Sequence, residues 1–194
     1  MAATIPGRPG RAGYPASVDH AAASPVGLVL LVGMMGAGKS TVGRAVAARL
    51  GWPYLDNDDL VRTLSGLDAP ALVATHGVDE LHRVELAALE EVLRHPRPLV
   101  ASAAGFAVAG LAATRFPRER AMVVWLRARA DTLRARIGDG ADRRADALSE
   151  PWLAETATRR AGTFAAVADL VLDVDDAAIK DVVASIVEEI LARS

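Results

Sequence analysis

Eight consecutive residues carry the most specific chemistry in this chain: Gly33-Met34-Met35-Gly36-Ala37-Gly38-Lys39-Ser40 satisfies G-x-x-x-x-G-K-[ST] at every fixed position. Glycines at these places let successive backbone N–H groups turn inward around phosphate oxygens. A helix starting at the lysine points its positive dipole end at them. Lys39 is spaced to reach β- and γ-phosphates, the Ser40 hydroxyl takes one position on a Mg2+ ion, and Thr41 follows as the next residue on the nucleotide side. An apolar run before the motif (Val26–Val32) and a helical pattern after it (TVGRAVAARL) supply the strand–loop–helix context that a chance glycine-rich turn lacks. The segment predicts a nucleoside-triphosphate site, for ATP or GTP.

The second chemical signal is Tyr54-Leu55-Asp56-Asn57-Asp58-Asp59. A short strand ending at Asp56 places carboxylates at the carboxyl edge of a sheet, where open α/β folds bind ligands. If the chain stays extended there, Asp56 and Asp58 both face the cleft. One carboxylate then holds Mg2+ through water, and the other accepts the proton of an attacking hydroxyl and orients it toward the γ-phosphate. Asp59 reads as the cap of the following helix.

These residues need a scaffold that brings strand ends together, and the pattern supplies one. Short apolar runs at Val26–Val32, Pro53–Leu55, Leu99–Ala101, Ala121–Leu126 and Asp169–Val174 read as strands buried on both faces. Helical periodicity fills Lys39–Leu50, Asp58–Ser65, Asp79–Arg94, Asp131–Ile137, Pro151–Thr163 and Ala177–Ala192. Strand–helix alternation predicts βαβ crossovers and a doubly wound α/β domain over residues 26–194. Residues 1–25, rich in Ala, Gly, Pro and Ser, read as a flexible extension, and 138–150 as a mobile loop.

Composition narrows the function classes. The chain has 194 residues and no cysteine, which excludes disulfides and thiolate chemistry. Aromatics are 4% and the net charge is −2, so neither a base-stacking platform nor a global basic field for nucleic acid or membrane is present. The 52% apolar fraction includes 40 alanines and no run long enough to span a bilayer. These features predict a cytoplasmic protein without nucleic-acid or membrane partners, and a monomer is the expectation for it. The only lysines are Lys39 and Lys180, and Lys180 lies in IKDV rather than a guanine-reading N-K-x-D. A kinase of small molecules or nucleotides becomes the leading class.

GMMGAGKSTVGRAVAARLG followed by YLDNDDLV resembles the opening of shikimate kinase, with weaker similarity to the C-terminus. The resemblance implies a nucleoside-monophosphate-kinase type of fold, a three-layer, five-stranded parallel sheet with a lid at 138–150. It also implies ATP- and Mg2+-dependent phosphorylation of the shikimate 3-hydroxyl. By that likeness Asp56 supports the metal, Asp58 contacts the substrate hydroxyl, Arg160 binds the substrate carboxylate, Arg136 lies against adenine, and Arg143 or its neighbour Arg144 is the lid arginine.

Departures fall mainly on the acceptor side. The family's G-E-x-x-F-R-x-x-E segment reads Gly77-Val78-Asp79-Glu80-Leu81-His82-Arg83-Val84-Glu85: Glu85 fits, but His82 replaces the clamping arginine. Arg83 is one residue, about 100° of helix rotation, away from that place. The family's Gly-Gly-Gly turn reads Ala104-Gly105-Phe106, of which Gly105 is kept. Two alternatives follow: a related kinase for another polyol or sugar acid such as gluconate or a cyclitol, or a nucleotide-binding regulator without turnover. Arg127 and Arg129 read as a solvated, acid-paired face, and the three tryptophans as packing residues. The stripe Ile179, Val182, Val183, Ile186, Val187 and Ile190 reads as a core face.

Overall fold

The computed structural model describes residues 26–96, 98–111, 119–137 and 149–193. Five strands form one all-parallel sheet: β1 (Leu28–Val32), β2 (Tyr54–Leu55), β3 (Leu99–Ser102), β4 (Ala121–Arg127) and β5 (Leu170–Asp173), in the order β2-β3-β1-β4-β5. Leu28 of β1 aligns with Leu99 on one side and Ala121 on the other, so β1 is the central strand. Every residue of β1 and β3 is buried, which is why these runs show no alternation of polar and apolar residues. The connections reverse direction at β1. A crevice therefore opens at the carboxyl ends of β1 and its neighbours, the place where such sheets bind ligands.

Eight helices surround the sheet among the described residues: α1 (Lys39–Leu50), α2 (Asn57–Ser65), α3 (Ala69–His76), α4 (Val78–Arg94), α5 (Gly105–Leu111), α6 (Ala130–Ile137), α7 (Glu150–Val167) and α8 (Ile179–Ala192). One apolar cluster joins the sheet to α1, α7 and α8, and a smaller one of Val61, Leu72 and Val84 ties α2, α3 and α4 together. That second cluster fixes the helices that carry the acceptor-side residues.

Sequence periodicity does not anticipate α3 and α5. Both are short, and α5 carries two glycines in its seven residues. The start of α3 is nonetheless encoded: Asp68 accepts the Ala71 N–H at 2.8 Å and Pro70 occupies the first turn. Helix α7 begins at Glu150, capped by Ser149, so the last two residues of the expected lid belong to this helix. The remainder of the lid, and residues 1–25, lie outside the described residues. In α8, Val182, Ile186 and Ile190 are buried as expected, whereas Ile179 at its first position is half exposed. Trp125 is buried against Phe164, and Trp52 and Trp152 pack partly buried on the same core.

Gly43 illustrates how tightly α1 sits on the sheet. A Cβ at this position would clash with the edge of the Tyr54 ring, at Cε2. An exposed Gly→Ala change in a helix gains about 1 kcal/mol from propensity. Here overpacking of about 1–3 kcal/mol opposes it, because the Tyr54 hydroxyl is tied to Asp56 and the ring has little room to retreat. Gly43→Ala is therefore expected to destabilise the protein by up to about 2 kcal/mol, read as a lower urea midpoint. A raised midpoint would contradict the packing described.

Candidate active site

The loop between β1 and α1 is shaped by glycine. Gly36 and Gly38 adopt φ +83° and +91°, a region other residues rarely enter. A side chain at Gly36 would also meet the Leu133 carbonyl at 2.8 Å, so the loop lies directly against α6. Buried Met34 and Ala37 anchor it to the core, and the Ala37 N–H donates to the Met34 carbonyl at 3.1 Å. Gly38 is the N-cap of α1 and supplies no side-chain acceptor, and the first turn of α1 contains no acidic residue. The start of the helix, with its positive dipole end, suits an anionic ligand. Gly33 ends the strand, Met35 lies in the loop, and Ser40 and Thr41 ride on the first turn of α1. Lys39 Nζ donates to the Gly33 and Met34 carbonyls at 3.0 and 3.1 Å, lying across the mouth of its own loop.

Asp56, at the end of β2, corrects two expectations. It is Asp56, not Asp59, that caps α2: Oδ1 accepts the Asp58 N–H at 3.0 Å. The chain turns helical at Asn57, so Asp56 and Asp58 are not alternate residues of one extended segment. Asp58 instead projects from the first turn of α2, with Asn57 Nδ2 donating to its Oδ1 at 3.2 Å. Asp59 is exposed and pairs with Arg62 at 3.4 Å.

Asp56 is only 8% exposed, and burial alone would raise its pKa. Hydrogen bonds from Ser40, the Asp58 N–H and the Tyr54 hydroxyl, with the charge of Arg44, outweigh burial and hold the carboxyl below its ordinary range. The Tyr54 hydroxyl donates to Oδ2 at 3.0 Å, and Arg44 lies 4.0 Å from the same oxygen and over the Tyr54 ring. Burial, first among several influences, pushes the Tyr54 phenol up to about 12, so it remains a donor. Sequence reasoning did not single out Tyr54 and Arg44. The available signal was a hydroxyl-bearing ring two residues before the aspartate, opposite a mid-helix glycine.

On the acceptor side, α4, α5 and α7 converge. The Arg160 guanidinium covers the Gly105 backbone closely enough that a Cβ there would lie 2.6 Å from Nη1. Burial lowers the Arg160 pKa, while Glu85 opposes that shift. Glu85 is pushed up to about 7, first by burial and also by the Asp58 charge, with Arg160 pulling it back. Glu85 thus feels the charges of both Asp58 and Arg160, which links α2, α4 and α7 electrostatically. His82 lies on the same side, its ring stacked on Phe106. Arg83 points elsewhere, bound to exposed Glu80, and does not replace the missing arginine at position 82.

A carboxyl whose pKa rises on folding binds more protons folded than unfolded between about pH 4.5 and 7. Its contribution to stability is therefore greatest at low pH and falls as pH rises through that window. Glu85→Gln removes the titration. The variant is expected to gain on wild type by about 1–3 kcal/mol between pH 5 and pH 8, measured by urea unfolding at both values. A gap that closes as pH rises would show the opposite coupling.

The remaining arginines separate cleanly. Arg136 donates to the Val174 and Asp175 carbonyls beyond β5, fixing α6 to that turn. Arg127 forms a two-pronged pair with Asp173, and Arg129 lies beside Asp131 and Asp175, the solvated face anticipated. Arg143 and Arg144 lie outside the described residues.

The family model for shikimate kinase matches residues 35–191. The chain belongs to the shikimate kinase family. Membership makes it a P-loop phosphotransferase acting on a hydroxyl group, using ATP and a small-molecule substrate. A shikimate kinase of Moorella thermoacetica is 34% identical over 149 residues, 77% of this chain and 86% of that one. The shikimate kinase of Acinetobacter baumannii, solved in complex with shikimate, superposes with a TM-score of 0.76 at 26% identity, covering 87% of this chain and 95% of that one. A gluconokinase of Sinorhizobium meliloti, at 19% identity and TM-score 0.53 over 89% and 99% of the two chains, shares the fold alone. The five-stranded parallel sheet is thus that of the family, with the architecture expected from the sequence. No helix among the described residues is long and apolar enough to cross a membrane.

Proposed function

We propose that this chain transfers the γ-phosphate of ATP to the 3-hydroxyl of shikimate, with Mg2+, as a cytoplasmic monomer. In this reading residues 26–194 form the catalytic domain, 1–25 an extension and 138–148 a lid that leads into α7. The observation that supports it is the linked set of polar groups, in which Ser40 and the Asp58 N–H bond to Asp56, and the charges of Asp58 and Arg160 act on Glu85. Family relatives carrying the name shikimate kinase, one of them solved with shikimate, support the choice of acceptor.

The residues fit the groups they would hold. An ionised, nearly buried Asp56 hydrogen-bonded to the Ser40 hydroxyl offers hard oxygen donors. Among the described residues no cluster of three or more acidic or histidine side chains is assembled for a metal. That suits Mg2+, which binds through one or two protein oxygens plus water and phosphate. When bound, it would neutralise charge on the phosphates. The glycine-rich loop and Lys39 would hold those phosphates, and Arg136 and the lid arginine Arg143 (or Arg144) would complete the nucleotide side. Arg160 would pair with the acceptor carboxylate, Glu85 and His82 would flank it, and Gly105 would leave room for it. Asp58 would accept the hydroxyl proton as the new O–P bond forms and ADP leaves. Catalysis of this kind rests on positioning and electrostatics.

A coupled ADP-release assay over shikimate, gluconate and nucleoside monophosphates tests the reading. Turnover confined to shikimate is expected. Turnover on gluconate alone would move the assignment to a sugar-acid kinase, and ATP binding without any acceptor would favour a regulator.

A further inference from the structure

His82 and Phe106 come from different helices and are 24 residues apart, yet they form one stacked pair. Their ring centroids are 3.7 Å apart and the rings are 7° from parallel. The pair adjoins Arg160, whose guanidinium covers Gly105, the residue before Phe106, and whose charge acts on His82. Burial leads in lowering the His82 pKa and Arg160 adds to it, against the pull of Asp79, so the imidazole is neutral at physiological pH. Phe106 nevertheless retains 38% exposure, a large apolar ring next in sequence to the Gly105 that Arg160 covers.

A flat, uncharged wall beside one cation discriminates by shape. A ring-bearing acid can set a hydrocarbon face against it and bury apolar area without stranding a polar group. An open-chain polyhydroxy acid presents hydroxyls along its length. Against such a wall some of these lose water and gain no partner, and the chain also loses torsional freedom. Building on the function proposed above, we infer that the His82–Phe106 stack is the specificity-determining wall of the acceptor site. It takes the hydrocarbon face of a cyclic hydroxy acid whose carboxylate rests on Arg160, and it disfavours open-chain sugar acids.

The test uses the full chain and measures KM for shikimate and ATP, kcat, and competitive inhibition by gluconate. It compares wild type with Phe106→Ala, Phe106→Leu, His82→Ala and the double alanine variant. Phe106→Ala is expected to raise the shikimate KM about tenfold, in line with loss of an aromatic face, while the KM for ATP holds and kcat falls less than about threefold. Gluconate inhibition should stay level or strengthen. Phe106→Leu keeps apolar bulk without the flat face and should fall between. Because each ring supports the other, the double variant should cost little more than the worse single one. A shikimate KM within about twofold of wild type, or equal weakening of shikimate and gluconate, overturns the wall while wild-type turnover of shikimate still supports the function. A wild type that phosphorylates gluconate and not shikimate overturns both.

Discussion

Asp58→Asn is expected to lower kcat by about a thousandfold, within the range of about 10²–10⁴ for loss of a positioned general base, and to leave the KM for ATP within a few-fold. The geometry isolates the charge. Asn preserves the side-chain shape, and the backbone N–H that satisfies Asp56 Oδ1 is untouched. The phosphate loop lies on a separate segment, and the carboxylate assigned to the metal side is Asp56. The structural cost is loss of one acid from the first turn of α2, about 0.3–1 kcal/mol of helix-dipole interaction, too small to unfold the domain. Asp59→Asn provides the internal control. It removes an acid from the same turn, but Asp59 is exposed and faces Arg62, so its kcat should match wild type. Steady-state kinetics of both variants, with a melting curve for each, decide the matter. Near-wild-type turnover by Asp58→Asn, or an equal loss in Asp59→Asn, would remove Asp58 from the role of base.

The contrast between neighbouring aspartates shows what local sequence carries. Strands β1, β3 and β4 were legible because a strand buried on both faces reads as an unbroken apolar run. The phosphate loop was legible because its chemistry is set by residues within one turn of chain. At Asp56–Asp59 the residue types were informative, but helix phase decided their roles, and the phase depends on which oxygen satisfies which N–H. Short helices such as α3 and α5 lack the several turns that make periodicity visible. The His82–Phe106 stack depends on how α4 and α5 meet, and no local spacing encodes that. The substitutions at His82 and Phe106 look like two separate losses in the sequence and form one contact in the fold.

Lys39→Met should reduce kcat/KM for ATP by a thousandfold or more, since removing a single preorganised donor to developing charge costs about 10²–10³ and this donor also binds the ground state. The substitution keeps a long unbranched side chain at the first position of α1 and removes the ammonium. Loss of the contacts to the Gly33 and Met34 carbonyls is expected to cost only about 1–2 kcal/mol, so the variant should fold and still bind the acceptor near Arg160. Lys39→Arg separates charge from shape. A guanidinium keeps the charge, yet its broad planar fork does not fit a place shaped for a compact ammonium close to two loop carbonyls, so activity should remain well below wild type. Lysine scarcity adds a check independent of turnover. With Lys180 the one other lysine, and exposed on α8, acylation mapped by mass spectrometry should modify Lys180 whether or not ATP is present, while ATP protects Lys39. If ATP fails to protect Lys39, or if Lys39→Met retains nucleotide affinity and turnover near wild type, the phosphates are held by other groups and the loop's lysine has no part in the reaction.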